Sequence, residues 1–206
     1  MTKDEMLKMI ARYGYNVGFG AKKNFATFDI VSKMPGWVSL FSLTIGIFAL
    51  FIPALTSNVI SAALIIIGVA TMYIQFYDGM KDAYNNVGIK HTKIFNQLEI
   101  IYRNVKSESN FDSVEIQKQV DELMADFYDH TESKQIFGSN WYAHYKFFHE
   151  MEKEWVEQEL GLSIKDKIPL SLIFWIGIVV IGAISCFLNI YLAEIVAFFL
   201  KLKCSN

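Results

Sequence analysis

Charged, polar and apolar positions are sorted along this chain into blocks. Between Lys33 and Asp78 lie 44 consecutive uncharged residues, and between Lys167 and Glu194 another 26. Helices and strands of a soluble domain keep one face wet, so their charges recur every few residues. Uncharged runs well beyond about 20 residues predict membrane-spanning helix instead. The first run divides in two. Trp37 to Leu55 is 19 residues, roughly 28 Å of helix and enough for a bilayer core. Pro53 with Thr56, Ser57 and Asn58 supplies a break, and Val59 to Tyr77 gives the second span. Trp37, Tyr73 and Tyr77 fall at one end of this hairpin, where aromatic rings favour the interface. A third span runs from Ile168 to Phe187, entered through Pro169. Leu188 to Lys203 is too apolar for water and too short for a further span. A continuous helix from Ile168 to Lys203 would be roughly 54 Å long, beyond a bilayer core. The expectation is therefore a short interfacial helix with Glu194, Lys201 and Lys203 toward water.

Outside these runs the period is helical. Over residues 4–33, Met6, Ile10, Tyr13 and Val17 recur at helical spacing. Gly14, Gly18 and Gly20 are expected to loosen that segment, and Pro35-Gly36 to end it. A basic, aromatic stretch before a span is the kind of segment that lies on an anionic bilayer surface, so residues 1–36 are assigned as a separate basic helical segment. From Asp82 to Lys106, Tyr84, His91, Phe95, Leu98, Tyr102 and Val105 form a 3–4 heptad track, widened by Val87, Ile94 and Ile101. No proline lies between Val59 and Val105, so this helix is expected to continue the second span with at most a bend around Gly79 or Gly88. A second helix starts near Ser113 and carries Ile116, Val120, Leu123 and Phe127. Gly138-Ser139-Asn140 caps a third, with Trp141, Tyr145, Phe148 and Trp155 on one face and Gly161 as its stop. Three such helices make a thin core, which predicts packing on neighbouring subunits.

Charge orients this plan. Residues 1–33 carry a net +3, residues 78–167 a net −6, and the remainder +1, within an overall −2. Lysines 22, 23, 33 and 81 flank the hairpin while its turn is uncharged, so the positive-inside rule puts the N-terminus and residues 78–167 in the cytoplasm. The acidic middle argues against nucleic acid as a partner. Cys186 and Cys204 cannot build a disulfide framework or a thiolate metal site. The apolar run starts too far from Met1 for a cleavable signal peptide, which predicts a retained anchor. The fold class is an all-α integral membrane protein with four parts: residues 1–36, a hairpin over 37–77, a cytoplasmic three-helix region over 78–167, and a third span plus a short apolar helix over 168–206.

Catalytic chemistry is hard to find in this pattern. His144 and His149 lie five apart, about 140° around a helix, so they cannot grip one metal from one face. There is no His-Glu-x-x-His and no Gly-x-Ser-x-Gly. The pairs Glu150/Glu154 and Glu122/Asp126 read as wet helix faces. Gly18-Phe19-Gly20-Ala21-Lys22-Lys23 superficially resembles a phosphate loop, but it follows no strand and lacks the full spacing and the hydroxyl after lysine. No enzyme activity and no cofactor are expected. The apolar runs carry more. Ser39, Ser42, Gly46, Ala49 and Pro53 step 3-4-3-4 along the first span. Ser61, Gly68, Thr71 and Gln75 form a small-to-polar stripe on the second, and Ser171, Gly182, Ser185 and Asn189 do so on the third. Such stripes serve close helix packing in lipid or, turned toward a shared axis in a homo-oligomer, line a water-filled path. No Asp, Glu, Lys or Arg interrupts the spans before Glu194, so ion-coupled transport has no relay.

A basic N-terminal stretch, Ala11-Arg12-Tyr13-Gly14-Tyr15-Asn16 through Ala21-Lys22-Lys23-Asn24-Phe25, leads into a tight two-span hairpin and then a long helical extension. This arrangement, over roughly residues 4–160, resembles the SLATT family of two-transmembrane effector domains found with bacterial nucleotide-sensing and conflict systems. The resemblance implies a pore-forming effector of the inner membrane, encoded beside a sensor such as a nucleotide-generating enzyme, a nucleotide-binding protein or a reverse transcriptase. It carries over no catalytic residue. The same helices would also serve a membrane-anchored adaptor that recruits a cytoplasmic partner without making a pore. The third apolar segment goes beyond the two-span pattern.

Overall fold

A computed structural model describes the backbone of residues 1–108 and 110–203; within it, the side chains of residues 164, 165, 186, 189, 190 and 192–203 are not described. Seven α-helices follow one another: α1 (Lys3–Ala49), α2 (Asn58–Gln75), α3 (Lys81–Ser107), α4 (Ser113–Asp129), α5 (Ser139–Glu150), α6 (Glu154–Leu160) and α7 (Leu170–Lys203). Short 3-10 turns cover Pro53–Thr56, Asp78–Met80 and Ile164–Lys167. The chain forms two compact units, residues 1–162 and the segment from Ser163 onward.

Helix α1 departs most from the sequence expectation. Thr2 and Glu5 form a capping box at its start, with the Thr2 amide donating to Glu5 Oε2 (2.9 Å) and the Glu5 amide to Thr2 Oγ1 (3.3 Å). The helix then runs 47 residues without a stop, through Pro35. It therefore joins the N-terminal segment and the first span in one element, and residues 1–36 are not a separate surface helix. Proline removes the hydrogen bond to Val31 and crowds its carbonyl, yet the helix continues through Gly36 to Ala49.

The lower part of α1 is the centre of a soluble-style bundle. Met6, Leu7, Ile10, Ala11 and Val17 are buried in one cluster with Ile94, Phe95, Leu98, Tyr102 and Val105 of α3, Val120, Met124 and Phe127 of α4, and Trp155 and Val156 of α6. Burying each large apolar side chain in such a cluster contributes about 1.5–3 kcal/mol. The core expected to be thin is completed from within the chain, by the segment assigned to the membrane surface. Its glycines admit neighbours rather than loosen the helix. A Cβ on Gly14 would lie 2.3 Å from the Trp155 ring, and one on Gly18 3.0 Å from both Phe147 and Phe95. At the far end Lys3 Nζ donates to the carbonyls of Lys106 (2.9 Å) and Glu108 (2.7 Å), closing the C-terminus of α3.

Two further boundaries differ from expectation, and a third, the bend at Gly79, agrees with it. The helix expected to run to Gly161 is two helices: Lys153, itself buried, donates to the Phe148 carbonyl (2.8 Å) and pairs with Glu157 (3.4 Å), capping the end of α5 and opening α6. Gly161 does terminate α6, in the left-handed conformation at φ 62°. On α5 the buried positions are Ser139, Ala143, Phe147 and Phe148, while Tyr145 is exposed. The α2–α3 junction bends at the Gly79 site, over Phe76–Met80, whereas Gly88 lies inside regular helix with Phe25 pressed against it. Finally, α7 runs unbroken from Leu170 to Lys203, so the third span and the short helix after it are one element. From Ala183 to Lys203 there is no glycine or proline to interrupt it.

Candidate functional site: an apolar hairpin and the polar joint at its base

Helices α1 and α2 leave the bundle as a hairpin. Ile52 enters the Pro53–Thr56 turn extended, and Ser57 Oγ accepts from the Ile60 amide (3.5 Å) to start α2. Val38, Ser42, Ile45 and Ala49 of α1 and Leu64, Thr71 and Ile74 of α2 are half-buried, the remaining positions of both legs mostly exposed. Ser42 shares a groove with Trp37, Val38, Phe41, Leu64 and Ile67. No residue of α2 is buried.

The expected site residues separate accordingly. Ser42 and Thr71 are half-buried, with Thr71 Oγ1 donating to the Ile67 carbonyl (2.9 Å). Ser39, Gly46, Ser61, Gly68 and Gln75 are exposed. Ser39 Oγ donates to the Pro35 carbonyl (2.8 Å), and a Cβ added at Gly46 or Gly68 meets nothing within 4 Å. Ser61, Gly68 and Gln75 step by seven, so they share one face of α2. Thr71, three residues after Gly68 and four before Gln75, stands at the edge of that face, half-buried. In α7, Gly182 and Ser185 are exposed, and the side chain of Asn189 lies outside the described residues.

Beneath the hairpin sits a polar joint that sequence reasoning missed. Asp29, 9% exposed, pairs with Lys33 (2.5 Å) on its own helix and with Lys146 of α5 (2.6 Å). Burial alone would raise the Asp29 carboxyl, but the hydrogen bonds and charges of the two lysines outweigh it and hold it below the ordinary range. Burial would likewise lower Lys146, yet Asp29, Tyr142 and Glu150 raise it. One turn below, buried Thr27 donates to Gln135 Oε1, Gln135 Nε2 donates to Asn24 Oδ1 (3.1 Å), and Asn24 Nδ2 to the Gly20 carbonyl (2.9 Å). Tyr84 of α3 donates to the Lys134 carbonyl (2.5 Å), and Ile136 is buried with Val31, Tyr77 and Tyr84. The connection between α4 and α5 thus ties both legs of the hairpin together at their base. The signal available in sequence was the track Leu7, Ile10, Gly14, Val17, Ala21, Asn24, which steps 3-4-3-4-3 and matches the heptad track of α3.

Deeper in the bundle, His91 is fully buried against Phe127 (ring centroids 4.5 Å apart), and neither ring nitrogen reaches a hydrogen-bond partner. Burial lowers its affinity for a proton, and the backbone of His130 and Phe127 does not overcome that shift. Among the described residues, no group of three or more His, Cys, Asp or Glu side chains could hold a metal ion.

These elements define an all-helical protein in which α1 and the run Asn58–Ser107 are long and apolar enough to cross a membrane; their most apolar 18-residue windows are 6% and 0% buried. Core helices of soluble proteins are mostly buried. Residues 1–176 match the SMODS and SLOG-associating 2TM effector domain 6, and the chain belongs to that family, the SLATT effectors. The match covers the hairpin, the whole bundle and the first turns of α7. Comparison with curated proteins and with solved structures returns no match.

Proposed function

We propose that this protein is the membrane effector of a bacterial conflict system, a non-enzymatic chain whose hairpin assembles with other copies into a pore in the inner membrane. Trp37–Leu55 and Val59–Tyr77 cross the bilayer, and the N-terminus with residues 78–167 lies in the cytoplasm. The observation that carries this reading is the division of labour between two surfaces. The apolar track of α3 is consumed by α1 inside the chain, so it is not the contact between copies. Among the described residues, the Ser61/Gly68/Gln75 face and the Ser39/Gly46 positions are exposed, and small residues on exposed transmembrane faces favour close approach of another helix.

A cytoplasmic sensor, encoded nearby as the family's association with SMODS and SLOG components suggests, acts on the bundle. The joint at the hairpin base passes that rearrangement to α1 and α2, and two packings differing by a few kcal/mol are enough for a switch. A path lined by uncharged serine, glycine and glutamine carries no charged ring or ordered carbonyl filter, so it is wide and unselective. Expression of the chain with its neighbouring gene, read by growth and by a potential-sensitive dye, tests this. Triggered depolarisation supports the pore. Recruitment of the partner to the membrane with potential intact supports the adaptor instead.

A further inference from the structure

The residues at the base of the hairpin bring a third element to the same level as its two legs. Lys134 stands over the ring of Tyr77, the last residue of the second span (5.2 Å to the centroid). Ile136 is packed with Tyr77 and Val31, with Ile74 and Ile30 against the same cluster. Tyr142 of α5 lines one groove with Lys33, Met34 and Trp37 of the first leg. The segment from Lys134 to Tyr142 is therefore fixed at the boundary between charged and uncharged chain on both legs. Between those fixed points, Phe137 is 67% exposed, with Trp141 edge-on to it at 5.2 Å. The turn holding this pair is specific: Gly138 adopts φ +85°, the Ser139 amide bonds the Ile136 carbonyl (3.2 Å), and the Trp141 amide bonds the Gly138 carbonyl (3.1 Å).

We infer that Phe137 and Trp141 form an aromatic foot that the cytoplasmic bundle sets into the headgroup layer of the bilayer beside Trp37. The inference rests on the reading of Trp37–Tyr77 as membrane-spanning. A phenyl ring exposed to water at this level is unfavourable, while aromatic rings gain by lying at the interface. Lysines 33, 81 and 134 around the same level suit an anionic headgroup region. The foot gives the bundle a point of attachment besides the two legs, so the α4–α5 connection senses the bilayer surface directly.

A nitroxide on Phe137→Cys, in the full chain carrying Cys186→Ser and Cys204→Ser and reconstituted in phosphatidylcholine/phosphatidylglycerol vesicles, tests this. The readout is the ratio of collision rates with oxygen, which concentrates in lipid, and with a water-soluble nickel chelate. Reference labels sit at Trp37→Cys (interface), Val69→Cys (middle of α2) and Val114→Cys, exposed on α4 beside Met1 at the far end of the bundle. The expected ratio at 137 matches that at 37 and exceeds that at 114 several-fold. A water-like ratio at 137 with a lipid-like ratio at 69 overturns the foot alone. Water-like ratios at both overturn the membrane-spanning reading and the foot with it. Spin–spin broadening at 137 that vanishes on dilution with unlabelled chain, with a low oxygen ratio, overturns the foot in favour of a second copy on this patch.

Discussion

A methyl group on Gly14 has nowhere to go: the Trp155 ring lies where it would stand. Gly14→Val should lower bundle stability by about 1–3 kcal/mol through overpacking, read as a drop in melting temperature in mild detergent. Gly36→Ala, at a position with open space around it, should leave the temperature unchanged or raise it. His91 predicts a pH dependence of definite sign. Its folded pKa lies below the ordinary 6.5 because the ring is buried. Above about pH 6.5 neither state is charged there, so His91 contributes no slope. Below it, the unfolded chain binds a proton that the folded chain refuses, and stability falls as pH drops toward the folded pKa. Melts between pH 7.5 and 5.5 should show this loss, and His91→Leu should reduce it. His144, also lowered by burial, acts in the same direction and leaves a residual slope.

Among the elements, the hairpin and α3 were legible from pattern, because uncharged runs and a heptad of large residues leave few alternatives. The lower half of α1 was legible as helix but not as the centre of a bundle. Its core face is written in Gly14, Val17, Ala21 and Asn24, and small residues read as weak helix unless the partner's large rings are known to fill the space. Phe25 against Gly88 and Trp155 against Gly14 are pairings between positions far apart in sequence, which local reading cannot make. The break between α5 and α6 was likewise hidden, since it depends on Lys153 folding back onto the Phe148 carbonyl. The polar joint was illegible for the same reason: Asp29 and Lys146 stand far apart in sequence, and nothing local pairs them. Because both are mostly buried, Lys146→Met should destabilise the bundle by about 1–3 kcal/mol, leaving Asp29 with Lys33 alone. The double variant Asp29→Asn, Lys146→Met should recover part of that loss, and a double-mutant cycle from thermal melts checks it.

At the scale of the molecule, one set of contacts connects the helical bundle to two apolar legs, and everything proposed for function depends on how those legs meet lipid and each other. Orientation comes first. A cysteine at Ser57, in the hairpin turn, should react with a membrane-impermeant maleimide added to intact cells, and one at Ser113 should not; the reverse pattern inverts the topology. The face of α2 comes next. Gly68 has open space around it in the single chain, so Gly68→Leu leaves the fold of one chain undisturbed and tests the contacts between copies, and the path, that are proposed. The decisive measurement is membrane potential in cells expressing the chain with its neighbouring gene, compared with the Gly68→Leu variant at equal membrane abundance. Depolarisation by the wild type that Gly68→Leu abolishes is the predicted result. Depolarisation of equal size in both would contradict a path built on the Ser61/Gly68/Gln75 face.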